Sequence, residues 1–204
     1  MDLDKKIDIK EGLIAITGKD EAEKIWLRAK EILKQIEEKY AGISKKEQMH
    51  TGFIFPCAAI QLVIKEIKGD TELGYKVISE YSWAKSRKMG AKLRKMSKIP
   101  GFNSFFVKTW GPVSRKSFGG DAGFKNVFYP KKKGEFRMDI TACPYNRYFT
   151  ELGTPELTKI FCINDECRYG DIPGLEFIRH TTLGKGGDKC DFYIRVKNGP
   201  GGRG

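Results

Sequence analysis

The first half of the chain has the spacing of amphipathic and buried helices. Apolar side chains recur every three or four residues over 25–40, which places them on one face of a helix. Residues 57–67 are almost all apolar and follow Pro56, a residue suited to the first turn of a helix, so they predict a central buried helix. A third helix is predicted to begin at Asp70 or Thr71.

The pattern changes to the two-residue period of strands in the last third. Phe136, Met138 and Ile140 alternate with polar residues, which predicts a strand. Two further strands are predicted over 175–183 and 190–196, joined by a glycine-rich hairpin turn.

The segments on either side of the first strand are less regular. Residues 102–134 are rich in aromatic residues and glycine and show no clean period, so they predict a long connection of short strands or turns. After the strand, 145–152 predicts a short helix. A second helix is predicted to begin at Pro155, with Thr154 as its cap.

Together these elements predict an α+β fold, in which N-terminal helices pack on a C-terminal antiparallel sheet that carries inserted helices. A chain of 204 residues is long enough for one such domain. We expect a single domain over 1–197, with a mainly helical layer over 1–101 and the aromatic connection and sheet over 102–197. The glycine-rich residues 198–204 are expected to form a flexible tail.

The chain is basic, with 38 lysines and arginines against 26 acids and a net charge of +12. Its densest basic run is Lys85 to Lys98, where Met89, Leu93 and Met96 keep helical spacing and predict an amphipathic helix with a basic outer face. Such a face attracts anions, nucleic acid included. The run has no recognition motif and no interleaved aromatic residues, so nucleic acid is not an expected partner.

The sequence also bears on location. No apolar segment approaches the length that spans a bilayer, and the N-terminus lacks the apolar run of a signal peptide. We therefore expect a cytoplasmic protein without a membrane partner, whose five cysteines are thiols rather than disulfides. The sequence does not indicate an oligomeric state.

Candidate chemistry concentrates in the last third, which holds four of the five cysteines. Cys143 lies where a predicted strand ends and a helix begins, a position at which the helix dipole lowers a thiol pKa. The alternative is a buried structural cysteine. Cys162 shares a predicted helix face with Asp165 or Glu166, whereas Cys167 lies on another face and is expected to be a bystander.

His180 and Cys190 lie on the two strands that flank the glycine turn, and pairing of those strands is expected to bring them close together. A set of Cys143, Cys162, His180 and Cys190 would suit a soft divalent metal, if a metal is bound. The alternative is that Cys162 and Cys190 pack in the core, as free cysteines usually do. No nucleotide cofactor is expected.

Several short motifs run through this part of the chain. They are Cys143-Pro144-Tyr145, Glu151-Leu152-Gly153 with Pro155-Glu156-Leu157, Phe161-Cys162 with Asp165, Thr182-Leu183, and Gly187-Asp188 with Cys190-Asp191-Phe192. As a set they resemble the L-2-amino-thiazoline-4-carboxylic acid hydrolase family. With the helix after Pro56 and the break at Pro100-Gly101, the resemblance covers roughly residues 50–196.

The resemblance implies a hydrolase that acts on non-peptide C–N or C–S bonds and opens a small cyclic amidine or amide-like carboxylate substrate. The family name implies opening of a 2-aminothiazoline ring to a carbamoyl-cysteine. Such a reaction needs a nucleophile, a proton donor and charge stabilisation. Cys143 is a candidate nucleophile, and Asp165 or His180 is a candidate base that activates water. Arg179 is expected to hold the substrate carboxylate, and Tyr145 and Cys190 are also expected to contact the substrate.

A non-enzymatic small-ligand or metal-binding sensor domain on the same fold is the alternative function. The hairpin that ends in Cys190-Asp191-Phe192 is also similar to the small-ligand-binding vinyl-reductase-like domains. Those domains carry a cysteine on the strand before the turn, where this chain has His180-Thr181-Thr182. In such a domain the cysteines would be structural or would bind a metal.

Overall fold

The computed structural model describes residues 1–197, and the predicted tail 198–204 lies outside them. The fold is α+β, as predicted. Within residues 1–197 the helices are α1 Ile7–Thr17, α2 Lys19–Lys39, α3 Lys45–Lys68, α4 Thr71–Met96, α5 Phe102–Ser117, α6 Pro144–Glu151 and α7 Thr158–Tyr169. The strands are β1 Lys125–Phe128, β2 Glu135–Ala142, β3 Leu175–Ile178 and β4 Cys190–Val196. Short 3-10 turns lie at Leu3–Lys6, Gly120–Ala122, Pro155–Leu157 and Leu183–Lys185.

The chain divides into two compact units. The helical unit comprises Met1–Trp83 and Pro144–Phe161, and the sheet unit comprises Ala84–Cys143 and the residues from Cys162 onward. The expectation of a single domain over 1–197 stays a prediction.

The helical unit is organised around α2 and α3. The predicted stripe on α2 is confirmed, since Ile25, Trp26 and Leu33 are buried. The buried helix predicted over 57–67 is also confirmed, but α3 begins earlier than expected, at Lys45. The Ser44 side chain accepts a hydrogen bond from the Glu47 backbone N–H at 3.1 Å, and this cap fixes the earlier start. Pro56 therefore lies inside the helix rather than in its first turn.

The sheet unit contains a four-stranded antiparallel sheet in the order β1-β2-β4-β3. The strands predicted around Phe136 and over 190–196 are confirmed. The strand predicted over 175–183 is shorter and ends at Ile178. The second predicted helix, α7, begins at Thr158, after a 3-10 turn, rather than at Pro155.

The prediction of an irregular connection over 102–134 is wrong in its first half, where α5 forms. Phe106 and Trp110 lie four residues apart on α5 and stack with ring centroids 5.4 Å apart. Trp110 also stacks on Phe192 of β4 at 6.1 Å, so the helix covers the sheet. The four-residue spacing of Phe106 and Trp110 is that of a helix. It is obscured in the sequence because the neighbouring Phe105 is exposed and because Pro112 lies inside the helix.

The basic part of α4 has the predicted basic outer face, with Lys85, Arg87 and Lys88 exposed. The predicted apolar stripe is only partly right, because Met89 and Met96 are exposed. The buried side carries Gly90 instead. A Cβ at Gly90 would lie 2.6 Å from the Cys167 carbonyl oxygen, so glycine is required where α7 approaches.

In the described part of the chain, no helix combines the length and the apolar composition needed to cross a membrane.

Candidate active site

Two thiols meet inside the sheet unit. Cys162 of α7 and Cys190 at the start of β4 interact closely enough for each to shift the pKa of the other thiol. Cys190 is 8% exposed and lies on the same face of β4 as the buried Phe192 and Ile194. The two-residue period of the strand therefore directs the Cys190 thiol toward the covering helices.

Adjacent residues of one loop act on the two thiols. The Leu183 backbone N–H donates to Cys190 Sγ at 3.3 Å. The preceding residue, Thr182, is buried and influences the pKa of the Cys162 thiol. The loop therefore supplies a backbone donor to the Cys190 sulfur.

Glycines give this loop its shape. The 3-10 turn Leu183–Lys185 ends at Gly186, whose φ of 84° lies in the left-handed region that favours glycine. A side chain at Gly187 would overlap the Thr181 side chain. The predicted glycine-rich turn is therefore a tight loop that holds Thr182 and Leu183 near the two thiols.

The Arg179 side chain, 4% exposed, ties the same loop to α7. Its Nη1 atom donates to Asp165 Oδ2 at 2.9 Å, and Nη2 donates to Glu166 Oε1 at 3.0 Å and to the Cys162 carbonyl oxygen at 2.5 Å. Cys162, Asp165 and Glu166 share one helix face, as their spacing predicts. The guanidinium is thus occupied by α7, and a substrate carboxylate can reach it only by displacing one of these partners.

The contacts give the two thiols opposite protonation preferences. The interaction with Cys190 lowers the pKa of the Cys162 thiol to about 6, against the effect of burial. Thr182 and the positive charge of Arg179 lower this pKa further. The interaction with Cys162, together with burial, raises the pKa of Cys190 far above its usual range. The two shifts together favour a thiolate at Cys162 and a protonated thiol at Cys190.

The Asp165 carboxyl group borders this pair. Burial raises its pKa, and the charges of Arg179 and Arg168 oppose the shift. A carboxylate with a raised pKa is a stronger base than an ordinary aspartate. The predicted water-activating role of Asp165 is compatible with this environment.

Cys143 also lies near the pair, at the junction of β2 and α6. It is near enough to Cys190 to influence the pKa of that thiol electrostatically. It is half-buried, and so is Cys162.

His180 does not join them. The β3–β4 register pairs Ile178 with Tyr193, and its continuation sets His180 opposite Asp191 rather than Cys190. The His180 Nδ1 atom lies 2.7 Å from Asp191 Oδ2, and the imidazole is 79% exposed. Successive strand residues face opposite sides of a sheet, so His180 and the Cys190 thiol are on different faces.

Asp191 holds the start of the loop in place. Its carboxylate accepts hydrogen bonds from the backbone N–H groups of His180 and Thr181, at 2.9 Å and 2.7 Å. Burial alone would raise the Asp191 pKa, but these bonds and the His180 ring outweigh burial and lower it.

Tyr145, a predicted substrate contact, and Cys57 both belong to the helical unit. The Tyr145 ring packs on Phe161 at 4.7 Å, and its hydroxyl lies 3.3 Å from His50 Nδ1. Cys57 is buried in the same unit, and burial raises its thiol pKa to about 12.

The four-residue metal set does not assemble. Across residues 1–197, no group of three or more histidine, cysteine, aspartate or glutamate side chains is arranged to hold a metal ion. His180 is exposed and lies beside Asp191, so it is not in position to act as one of the four predicted metal ligands. Over the same residues the five cysteines are thiols rather than disulfides, as predicted.

A surface groove in the sheet unit lies away from the thiols. Its lining includes Glu135, Glu176, Arg195 and Lys197, which surround the last residues of β4. The thiol pair is at the first residue of the same strand, so we assign the groove no part in the site.

Sequence reasoning missed two features of this site. The sequence places Cys162 on one helix face with Asp165 or Glu166 and suggests a metal ligand or a core residue, but it does not single out Cys162 as the nucleophile. It gave no role to Thr182 or Asp191, although both lie in motifs of the resemblance. The loop contacts that make them important depend on the tertiary fold.

The comparisons with known proteins agree with the resemblance. The family model for L-2-amino-thiazoline-4-carboxylic acid hydrolase matches residues 46–194, which is most of the chain and includes Cys143, Cys162 and Cys190. The chain belongs to this family. A comparison with curated proteins and one with solved structures each gave no significant match.

Proposed function

We propose that the protein is a hydrolase that opens a small cyclic amidine carboxylate of the 2-aminothiazoline type, with Cys162 as its nucleophile. The observation that carries the proposal is the interaction of Cys162 with Cys190, which lowers the pKa of the Cys162 thiol and raises that of Cys190. Membership of the family supports the substrate class.

In the first step the Cys162 thiolate attacks the amidine carbon of the ring. The tetrahedral intermediate then breaks its bond between that carbon and the ring sulfur. The leaving sulfur takes a proton from the Cys190 thiol, which retains its proton until then. The product of this step is an isothiourea-type adduct on Cys162 with an opened ring.

In the second step water attacks the adduct carbon and Cys162 leaves as a thiolate. Asp165 accepts one proton from the water, since its raised pKa suits a base, and the other proton passes to the former ring nitrogen. Asp165 then releases its proton to solvent and Cys190 regains one from solvent, so both groups return to their starting states. The sum of the two steps is substrate plus water giving a carbamoyl-cysteine.

The proposal assigns the attack to Cys162 rather than Cys143 because the surroundings of Cys162 lower its pKa and so favour the nucleophilic thiolate. Arg179 acts here mainly by stabilising the thiolate and by fixing the α7 backbone at Cys162. Its predicted contact with the substrate carboxylate stays a prediction, as does substrate contact by Tyr145.

The test is conversion of L-2-amino-thiazoline-4-carboxylate to carbamoyl-cysteine, followed by chromatography with mass detection. Cys162→Ala should lower kcat/KM by about 10³-fold or more. Cys167→Ala, five residues along the same helix, should retain activity. Full activity of Cys162→Ala contradicts the proposed nucleophile. Binding of the substrate by the wild-type protein without turnover would favour the ligand-binding alternative.

A further inference from the structure

We propose that one surface of the sheet unit, the basic hairpin, binds the surface of an anionic phospholipid bilayer. The basic hairpin comprises the end of α4 from Lys85, the turn 97–101 and α5. The proposal goes beyond hydrolysis and does not depend on the thiols. It departs from the expectation of no membrane partner, because the lack of a membrane-spanning segment does not bear on binding at the bilayer surface.

The charge of the basic hairpin is of one sign. Residues 81–120 contain no aspartate or glutamate, so every charged side chain of the hairpin is a lysine or an arginine. Lys88, Lys92 and Lys95 are exposed, and their spacing of four and three residues places them on one face of α4. Within residues 1–197 these three lysines form no ion pair. Their charges are therefore available to an external anionic surface.

Apolar side chains are exposed beside these lysines. Met89 and Met96 lie on the same face of α4 and are exposed, whereas the packed side of the helix carries Gly90. Ile99 in the turn and Phe105 on α5 are each more than half exposed. The basic hairpin thus presents apolar side chains together with positive charge.

This combination fits a lipid surface better than nucleic acid. Anionic headgroups attract lysines, and the boundary of the acyl chains beneath them accommodates exposed apolar side chains. A lysine on such a face can keep its ammonium group among the headgroups while its methylene stem lies with the apolar side chains. Residues 85–98 contain no aromatic side chain on which a base could stack.

Sedimentation with large vesicles tests the proposal on the full-length protein. One set of vesicles contains one part phosphatidylserine to two parts phosphatidylcholine, and the other contains phosphatidylcholine alone. The protein should sediment with the anionic vesicles and remain in solution with the neutral ones. The bound fraction should fall between about 0.1 M and about 0.5 M salt, because salt screens the headgroup charge. Failure to sediment with the anionic vesicles at the lower salt concentration would overturn the proposal.

Matched triple variants assign the surface. Lys88→Gln, Lys92→Gln and Lys95→Gln together should lower the partition coefficient by on the order of 10²-fold, since each lysine near an anionic surface contributes roughly fivefold. The control replaces the three exposed lysines of 131–133 by glutamine, which removes the same charge elsewhere in the sheet unit and should have a much smaller effect. Equal losses in the two triple variants would overturn the proposal, because binding would then follow net charge alone.

Contact of the apolar side chains with lipid is tested separately. The double variant Ile99→Ala with Phe105→Ala should bind the anionic vesicles several-fold more weakly, because binding strength scales with the apolar area that lipid buries. Val127→Ala is the control, since Val127 is an exposed apolar residue on another part of the sheet unit, and it should bind as the wild type does. Equal binding by the double variant and the wild type would contradict insertion of the hairpin.

Nucleic acid is the competing partner. DNA and RNA oligonucleotides should show no gel shift at the salt concentration at which the anionic vesicles bind. A shift that is abolished in the triple variant of Lys88, Lys92 and Lys95 would overturn lipid as the partner. The readout is binding rather than turnover, so its failure is distinct from failure of the hydrolase proposal.

Discussion

Cys162 on α7 and Cys190 on β4 interact through their side chains, which lowers the pKa of Cys162 and raises that of Cys190. A pair of identical residues is thereby made chemically unequal. Thr182 and the charge of Arg179 also lower the Cys162 pKa, whereas Cys190 is more deeply buried. The proposal for hydrolysis depends on this inequality.

Removal of the Cys190 thiol should make Cys162 more like an ordinary cysteine. The interaction with Cys190 is the largest influence on the Cys162 pKa, so Cys190→Ala should raise that pKa toward the usual value of 9.0. The absorbance of the thiolate near 240 nm, titrated against pH, measures the change. Cys167→Ala is the matched control and should leave the titration unchanged. An unshifted Cys162 pKa in Cys190→Ala would show that the thiol pair does not set it.

Arg179 should affect both stability and thiol reactivity. Arg179→Met removes the bonds to the Cys162 carbonyl and to Asp165, which should cost about 1–3 kcal/mol of unfolding free energy. The same change should raise the Cys162 pKa, because a nearby positive charge favours the thiolate. Urea unfolding and thiolate titration measure the two effects.

Arg179→Lys separates the two roles. Lysine keeps the positive charge but lacks the planar guanidinium that bonds to three acceptors. Compared with Arg179→Met, Arg179→Lys should therefore bring the Cys162 pKa part of the way back to the wild-type value, while recovering little of the lost unfolding free energy. Equal behaviour of the methionine and lysine variants in the titration would exclude a role for the charge.

Asp191 should act as a positioning residue for the thiols. Asp191→Asn weakens the acceptor for the His180 and Thr181 N–H groups and so loosens the loop that carries Thr182. The Cys162 pKa should rise as that loop moves. Asp188→Asn, at an exposed position of the same turn, should leave it unchanged. Identical titrations for both variants would argue against positioning.

The lowered Asp191 pKa also predicts a pH dependence of stability. The contribution of this carboxylate is complete above its usual pKa of 3.8 and is lost as the pH falls through the lowered value. The wild-type protein should therefore lose more stability than Asp191→Asn on acidification through this range, as measured by urea unfolding at a series of pH values.

The fold could be predicted from the sequence where apolar residues follow a single helical or strand spacing. The prediction failed where other residues interrupt that spacing. The stripe on α2 and the alternation on β2 and β4 are regular, so both were found. In α5 the helical spacing of Phe106 and Trp110 was obscured by Pro112 and by the exposed Phe105. Helix interiors rarely contain proline, and the position of a tolerated one depends on packing that the sequence does not contain.

The candidate site could likewise be predicted from the sequence only in part. The shared helix face of Cys162 and Asp165 follows from spacing and is visible in the sequence. The separation of His180 from Cys190 follows from strand register, and a shift of one residue moves a side chain to the other face of the sheet. That register is set by tertiary packing, which is why the predicted closeness of the two residues failed.

The aromatic core between α5 and the sheet should be essential to the sheet unit. Phe192 is 4% exposed and its ring lies 6.1 Å or less from those of Trp110, Tyr169 and Phe177. Phe192→Ala should lower the unfolding free energy by about 3–5 kcal/mol, because it removes buried area and leaves a cavity.

Phe105→Ala is the control, since that phenylalanine is 64% exposed on the same helix as Trp110. Its effect should stay within about 0.5 kcal/mol. Urea unfolding followed by circular dichroism compares the two variants, and equal losses would contradict the packing described for Phe192.

The most direct test of the reactive thiolate is the pH dependence of its alkylation. Iodoacetamide is added at a series of pH values, and the labelling rates of the peptides that carry Cys57, Cys162 and Cys190 are followed by mass spectrometry, with Cys167→Ala as the background. The Cys162 rate should rise through a midpoint near the pKa of about 6 and level off by neutral pH, while Cys57 and Cys190 stay slow. A Cys162 rate that is low at neutral pH and rises only near the usual thiol value of 9.0 would contradict the account.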